Sequence, residues 1–158
     1  MSGAPILVIG VGNPSRGDDA LGPLLLEQLQ ARLGAALAAG ELELLTDFQL
    51  QIEHALDLTG RRRVLFIDAS VSAPAPFALT RVQPARDASH STHAMSPAAV
   101  LDTHRRVVGE PPEAWLLAIR GERFELGEPL GDAARAHLQA ALDQALRVLA
   151  AWTADARR

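Results

Sequence analysis

Residues 5–22 constrain the fold of this chain more than any other stretch. Residues 6–9 (Ile-Leu-Val-Ile) form an uninterrupted apolar run, which is typical of a strand buried on both faces of a parallel sheet. Residues 10–17 contain three glycines and a proline, and they predict a tight loop. Asp18 and Asp19 close this loop just before a leucine-rich helical pattern. This order of strand, loop, carboxylates and helix predicts a site at the carboxyl edge of a parallel sheet.

The glycine loop has two possible ligands. Residues 10–12 (Gly-Val-Gly) resemble the start of a dinucleotide fingerprint, whose backbone N–H groups bind phosphate at a helix N-terminus. However, Pro14 has no N–H, Ser15 stands in place of the third glycine, and the carboxylates of Asp18 and Asp19 would repel an anion. The loop therefore favours a cation. One of the two acids is expected to cap the following helix, which leaves the other for a site.

The composition indicates one domain and narrows its chemistry. With 158 residues, 48% of them hydrophobic, the chain is long enough for a single domain over residues 1–158. It contains no cysteine, which excludes disulfides, thiolate ligands and a cysteine nucleophile. All 15 basic residues are arginine and no basic face stands out, so nucleic acid is not an expected partner. No signal peptide or membrane-spanning stretch is recognisable, and we expect a cytoplasmic protein.

Strand-like and helix-like segments alternate along the chain. The short apolar or alternating runs predict five strands, at residues 6–9, 41–46, 64–67, 77–82 and 115–119. Helical periodicity predicts four helices, over residues 20–38, 52–58 and 96–108 and along the stripe from 138 to 152. This alternation predicts an α/β fold, a three-layer α/β/α sandwich with a mainly parallel five-stranded twisted sheet.

Acidic residues follow the first three predicted strands. Asp19 lies in the loop after the first strand, Asp47 directly follows the second, and Asp68 directly follows the third. Capping a helix or forming a turn is the ordinary role of such a residue, but residues 69–71 do not begin an obvious helix. Because the carboxyl ends of parallel strands lie at one edge of a sheet, we expect the three acids to converge.

Histidines supply the other donors of a candidate metal site. His90 and His93 lie in a polar loop over residues 84–97. Carboxylates and imidazoles without thiolates form a donor set suited to nickel, zinc, iron or manganese. The other three histidines lie in helical patterns, and we interpret them as surface or packing residues: His54, His104 and His137.

Three motifs occur in a fixed order along the chain. Residues 10–14 (Gly-Val-Gly-Asn-Pro) and 17–22 (Gly-Asp-Asp-Ala-Leu-Gly) form the first, residues 67–69 (Ile-Asp-Ala) the second, and residues 91–93 (Ser-Thr-His) the third. The ordered set resembles the motifs of the hydrogenase maturation endopeptidases. The length of the chain and its lack of cysteine agree with that family. The resemblance extends from the first strand to the closing helix.

The resemblance implies an activity, a partner and a metal site. Members of this family remove a short carboxy-terminal peptide from the large subunit of a [NiFe] hydrogenase after nickel insertion. The partner would therefore be the large-subunit precursor, and nickel would arrive with this substrate instead of being a resident cofactor. The positions of this chain that match the family's metal-contacting residues are Asp19, Asp68 and His93. We expect the protein to be a monomer without membrane partners.

The motifs identify the catalytic residues less directly than the metal-contacting ones. We expect Asp47 to act as general acid or base, with Asp18 and Glu53 as further candidates, and the resemblance leaves an aspartic-type or a metal-dependent hydrolysis open. The chain departs from the family at two places. Some members have Glu at the position of Asp19, and many have Asp-Gly-Gly-Thr where residues 47–50 read Asp-Phe-Gln-Leu, which suggests a different precursor subtype.

Two alternatives belong to other functional classes. A non-catalytic nickel-binding assembly chaperone could use the same three metal-contacting positions, and it would bind nickel tightly without cleaving a precursor. A dinucleotide-binding module is the other alternative, which a thermal-shift screen against nucleotides would detect.

Overall fold

The computed structural model describes residues 3–87 and 95–158. Its five strands are β1 (Ile6–Val11), β2 (Leu42–Asp47), β3 (Arg63–Ser70), β4 (Phe77–Val82) and β5 (Glu113–Arg120). Its five α-helices are α1 (Leu21–Arg32), α2 (Gly34–Ala38), α3 (His54–Asp57), α4 (Pro97–Val107) and α5 (Asp132–Ala156). A 3₁₀ turn, Gly17–Ala20, precedes α1.

The strands form one mixed sheet in the order β2-β1-β3-β5-β4. The first four of these are parallel neighbours, and β4 pairs antiparallel with β5 at the far edge. Every residue of β1 is buried, as its continuous apolar run predicts for a strand covered on both faces. The alternating β2 lies at an edge of the sheet and is less buried than β1. The predicted α/β fold with a mainly parallel five-stranded sheet is confirmed.

Helices cover both faces of the sheet. On one face α1 and α5 pack against side chains of β1, β3 and β5 in a core that includes Leu25, Leu29, Leu142 and Leu149. On the other face the short α3 and the longer α4 cover a second core around Phe66. Ser96 caps α4 as predicted, since its hydroxyl oxygen accepts a hydrogen bond from Ala99 N–H at 3.1 Å.

Two of the boundaries that differ from the sequence prediction have a clear physical cause. The helix predicted over residues 20–38 is two helices, because the backbone leaves helical geometry at Leu33 (φ −114°, ψ 29°), next to Gly34, whose high conformational entropy makes continuation costly. Strand β3 does not stop at Asp68. It continues to Ser70, because its pairing with β5 runs on through Ser70 and Arg120.

None of the helices in the described part of the chain combines the length and apolar character that a membrane span requires.

Candidate active site at the carboxyl edge of the sheet

The register of the sheet places two of the predicted acids at the same level. Val11, the last residue of β1, pairs with Asp47 of β2. On the other side of β1, Gly10 pairs with Ile67 of β3, so Asp68 follows at the level of Val11. With strands spaced about 4.8 Å apart, the backbones of Asp47 and Asp68 lie roughly 10 Å from each other across β1.

The two acids also lie on the same face of the sheet. Side chains alternate along a strand, so Asp47 shares the face of Leu45 and Asp68 shares the face of Phe66. Leu45 and Phe66 both belong to the core under α3 and α4. Both carboxylates therefore extend this apolar layer at its carboxyl end, where the core gives way to solvent.

The glycine loop brings Asp19 to the end of β1. Gly12 has a positive φ of 147°, and a Cβ at this position would overlap the carbonyl oxygen of Asp19. The close approach of these two backbones therefore requires glycine. The carboxylate of Asp19 is oriented by Asn13, whose backbone N–H donates to Oδ2 at 2.7 Å.

Two cavities connect these acids. A cavity of about 620 Å³ is lined by Asp19 and Asp68 together with Phe48 and Met95. A second cavity of about 440 Å³ is lined by Asp19, Asp47 and Phe48. Because Asp19 lines both, the structure brings Asp19 together with Asp68 in one cavity and with Asp47 in the other.

Asp68 is in an environment that disfavours its charge. Burial raises the pKa of Asp68 to about 7, the backbone N–H of Ala69 opposes this rise by donating to Oδ1 at 2.8 Å, and the nearby carboxylate of Asp19 adds to it. A carboxyl group that is half-protonated near neutral pH and faces a second carboxylate is typical of a functional site. A cation placed between the two would favour the ionised form of both.

Because its pKa is raised, the carboxyl group of Asp68 lowers the free energy of unfolding at neutral pH. Between its ordinary pKa of 3.8 and about 7, the folded chain holds a proton that the unfolded chain releases, so the free energy of unfolding falls as pH rises through this window. We therefore expect Asp68→Asn to be more stable than the wild type above pH 7, by at most roughly 4 kcal/mol, and equally stable below pH 4. Urea unfolding at pH 5, 6, 7 and 8 measures this. The exposed Asp143→Asn serves as control, and a wild type that is the more stable protein at pH 8 contradicts the prediction.

Asp18 has a different environment from its neighbour. It is 2% exposed, its Oδ2 accepts hydrogen bonds from the backbone N–H groups of Glu122 and Arg123, and its Oδ1 accepts one from Gly131. Burial by itself would raise the pKa of Asp18, but these backbone donors outweigh it and the pKa is lowered. Such a fully bonded carboxylate favours a structural role over the predicted catalytic one.

The expected helix cap is wrong for both acids. The N-cap of α1 is Ala20, and no side chain caps the helix. Asp18 and Asp19 instead lie in the 3₁₀ turn, where the carboxylate of Asp19 accepts a hydrogen bond from the glycine loop and that of Asp18 accepts hydrogen bonds from the loop after β5. The physical reason is that these loops offer unpaired N–H groups which burial would otherwise leave without acceptors.

The remaining catalytic candidates flank the loop after β2. The side chain of Asp47 is 42% exposed and its Oδ1 accepts a hydrogen bond from Phe48 N–H at 2.7 Å. Glu53 is exposed at the start of α3. The sequence interpretation missed the neighbour of Asp47: His54 is buried, and its Nε2 lies 3.3 Å from Oδ2 of Asp47. The predicted short helix over residues 52–58, which contains His54 and closely follows Asp47, was the one signal for this contact.

The predicted histidine ligand lies outside the described residues. His93 and its neighbour His90 both fall in residues 88–94, so the predicted third metal contact stays a prediction. Within residues 3–87 and 95–158, no three histidine, aspartate or glutamate side chains are grouped closely enough to hold a metal ion by themselves. If Asp19 and Asp68 are ligands as predicted, they would need a further donor to hold a metal ion.

Comparisons with known proteins agree with the motifs. No protein-family model matches the chain, and no curated protein matches it significantly. Among solved structures, the hydrogenase maturating endopeptidase HybD from E. coli is similar at 26% identity and a TM-score of 0.70, over 94% of this chain and 92% of that chain. An endopeptidase from Escherichia coli solved in solution is similar at 24% identity and a TM-score of 0.69, and the match covers 94% of this chain and 92% of that chain.

A third similar structure comes from Thermococcus kodakarensis KOD1. The [NiFe] hydrogenase maturation protease HycI from Thermococcus kodakarensis KOD1 is 20% identical with a TM-score of 0.65, and the match covers 92% of each chain. The second and third of these structures are less than 25% identical to this chain, so they support a similarity of fold only. The similarity in each case extends over nearly the whole of both chains. For the complete fold, the resemblance of this chain to the hydrogenase maturation endopeptidases is therefore confirmed.

Proposed function

We propose that this protein is an endopeptidase that removes the carboxy-terminal extension of a [NiFe] hydrogenase large-subunit precursor, and that it selects precursors already carrying nickel. The similarity to HybD at 26% identity, over nearly the whole of both chains, supports the class of reaction. The observation that carries the proposal is the cavity of about 620 Å³ that Asp19 and Asp68 line at the sheet edge, because its size is typical of ligand-binding clefts.

Selection of a nickel-loaded substrate follows from the charges in this cavity. Without a cation, burial and the carboxylate of Asp19 keep Asp68 partly protonated at neutral pH. A metal ion carried by the substrate favours two ionised carboxylates, so its binding releases a proton and removes their repulsion. A precursor without the ion does not relieve this repulsion, so it docks less favourably. In this proposal nickel is cargo of the substrate, and His93 would supply the third contact.

Hydrolysis requires a group that moves a proton, and we assign this role to Asp47. Its carboxylate would take a proton from a water molecule as the water oxygen attacks the scissile carbonyl carbon. As the carbon–nitrogen bond breaks, the same proton passes to the nitrogen of the departing peptide. Partial exposure and a place in the cavity that Asp19 also lines support Asp47 over Asp18, whose oxygens are occupied by backbone donors.

The direct test is to mix the purified protein with a nickel-loaded large-subunit precursor and record intact masses. We expect the precursor to lose a carboxy-terminal peptide with multiple turnovers, at a rate that depends on enzyme concentration. Stoichiometric nickel transfer to or from an uncleaved precursor would instead identify a nickel-binding assembly chaperone. We further propose that the enzyme is cytoplasmic and acts as a monomer. Light scattering measures its oligomeric state.

A further inference from the structure

The buried imidazole of His54 lies directly beside the carboxylate proposed to move the proton. His54 begins α3, and only 4% of its surface is exposed. Its Nε2 lies 3.3 Å from Oδ2 of Asp47, whose side chain is 42% exposed and lines the cavity of about 440 Å³. The contact therefore connects a fixed group in the interior to a carboxylate at the cavity surface.

The tautomer of His54 follows from its other nitrogen. The backbone N–H of Gln51 donates to Nδ1 of His54 at 2.8 Å, so Nδ1 presents its lone pair. The ring proton of the neutral imidazole is then on Nε2, the nitrogen that faces Asp47. On the opposite side, Phe48 N–H donates to Oδ1 of Asp47 at 2.7 Å. One oxygen of the Asp47 carboxylate thus accepts a backbone hydrogen bond, and the other lies beside Nε2 of His54.

We infer that His54 is a positioning residue for Asp47: its Nε2–H, aimed by the backbone amide of Gln51, holds the carboxylate in the orientation that faces the substrate. This inference rests on the proposed function, in which Asp47 moves the proton. A contact of 3.3 Å is longer than the usual hydrogen bond to a carboxylate, and such contacts often shorten when substrate binds. His54 itself exchanges no proton with substrate, because it is buried and Gln51 occupies its second nitrogen.

Two substitutions separate positioning of Asp47 from support of the fold. The side-chain oxygen of His54→Asn lies where Nδ1 lies in histidine and can accept the Gln51 N–H, but the shorter side chain does not reach Asp47. The amide of His54→Gln reaches the position of Nε2 and can donate to Asp47, but it gives up the Gln51 bond. We expect kcat of His54→Asn to fall about 10- to 100-fold, as for loss of a hydrogen bond to a charged group, with little change in KM. His54→Gln is expected to stay within about threefold of wild type, although it unfolds at a lower temperature than His54→Asn.

His104 provides the matched control. It is equally buried, lies on the adjacent α4, and its Nδ1 donates to the carbonyl of Ala55 at 2.8 Å, so it contacts α3 without contacting Asp47. His104→Asn should lower thermal stability with kcat unchanged. If kcat follows thermal stability across all three variants, or if His54→Asn turns over like wild type, His54 has only a structural role and the inference is overturned.

A spectroscopic measurement tests the contact without relying on cleavage. In ring-nitrogen NMR spectra of the full chain, His54 should show the tautomer protonated on Nε2, and Asp47→Asn should shift its Nε2 resonance while leaving those of His104 in place. A proton on Nδ1, or an unchanged Nε2 resonance in Asp47→Asn, overturns the inference whatever the enzyme cleaves. If instead these spectra agree but wild-type protein leaves a nickel-loaded precursor intact, the proposed function fails and the contact itself stands.

Discussion

Asp19→Asn and Asp68→Asn are each expected to lower kcat/KM for a nickel-loaded precursor by at least about 100-fold. Both carboxylates line the same cavity, and each is oriented by a backbone N–H, from Asn13 and Ala69 respectively. The amide that replaces either one retains the size of the side chain but loses the negative charge that a nickel ion would contact. Cleavage rates from intact-mass time courses, at several precursor concentrations, measure the loss.

Loss of folding does not explain this expected decrease for Asp68. Its amide variant should be more stable than the wild type above pH 7, because the raised pKa of the carboxyl group makes its charged form costly. Asp143→Asn, an exposed change on the opposite side of the sheet, should cleave at the wild-type rate. In the proposed site Asp19 and Asp68 contact one ion, so the double variant should be little worse than either single variant. Full activity in both single variants would remove these residues from the site.

Asp18→Ala is expected to cause the largest loss of stability, about 3–5 kcal/mol. The change removes both oxygens that accept the N–H groups of Glu122, Arg123 and Gly131, and each part-buried donor left without an acceptor costs up to about 1–3 kcal/mol, partly recovered by water. For a chain of this length the loss corresponds to a fall in Tm of roughly 6–20 °C. Thermal unfolding followed by circular dichroism measures it.

Comparison with exposed acids makes the prediction for Asp18 specific. Asp143→Ala changes a solvent-exposed carboxylate on α5 and should alter Tm by no more than about 2 °C. The Tm of Asp18→Asn should lie between those of Asp18→Ala and Asp143→Ala. The amide keeps one oxygen as an acceptor, but its NH₂ group is turned toward backbone N–H groups that need an acceptor. If the Tm of Asp18→Ala equals that of the wild type, these backbone hydrogen bonds contribute nothing to the stability of the fold.

The parts of the site that the sequence predicts depend on local patterns. The apolar run of β1 and the position of Asp47 at the end of β2 are features of a few adjacent residues, and parallel pairing then determines which strand ends meet. Gly12 belongs to the same class, because its loop motif requires a conformation that other residues rarely adopt. These features were sufficient to predict the fold and the edge at which Asp19, Asp47 and Asp68 lie.

The parts that the sequence did not predict depend on contacts between distant segments. Asp18 was expected to cap a helix or take part in catalysis, but its hydrogen-bond partners lie 104 to 113 residues further along the chain. The position of His54 under Asp47 depends on how the segment after β2 folds back, which is specified by tertiary packing against α4. The end of β3 was misplaced for the same reason, since its extension depends on pairing with β5.

The most direct test of the account compares one precursor in two states, nickel-loaded and metal-free, as substrate for the wild-type protein. Mass spectrometry follows release of the carboxy-terminal peptide under otherwise equal conditions. We expect release from the nickel-loaded precursor and none measurable from the metal-free form, because only a cation makes two ionised carboxylates favourable at Asp19 and Asp68. Equal cleavage of the two forms would contradict the central claim that these acids recognise the metal in the substrate.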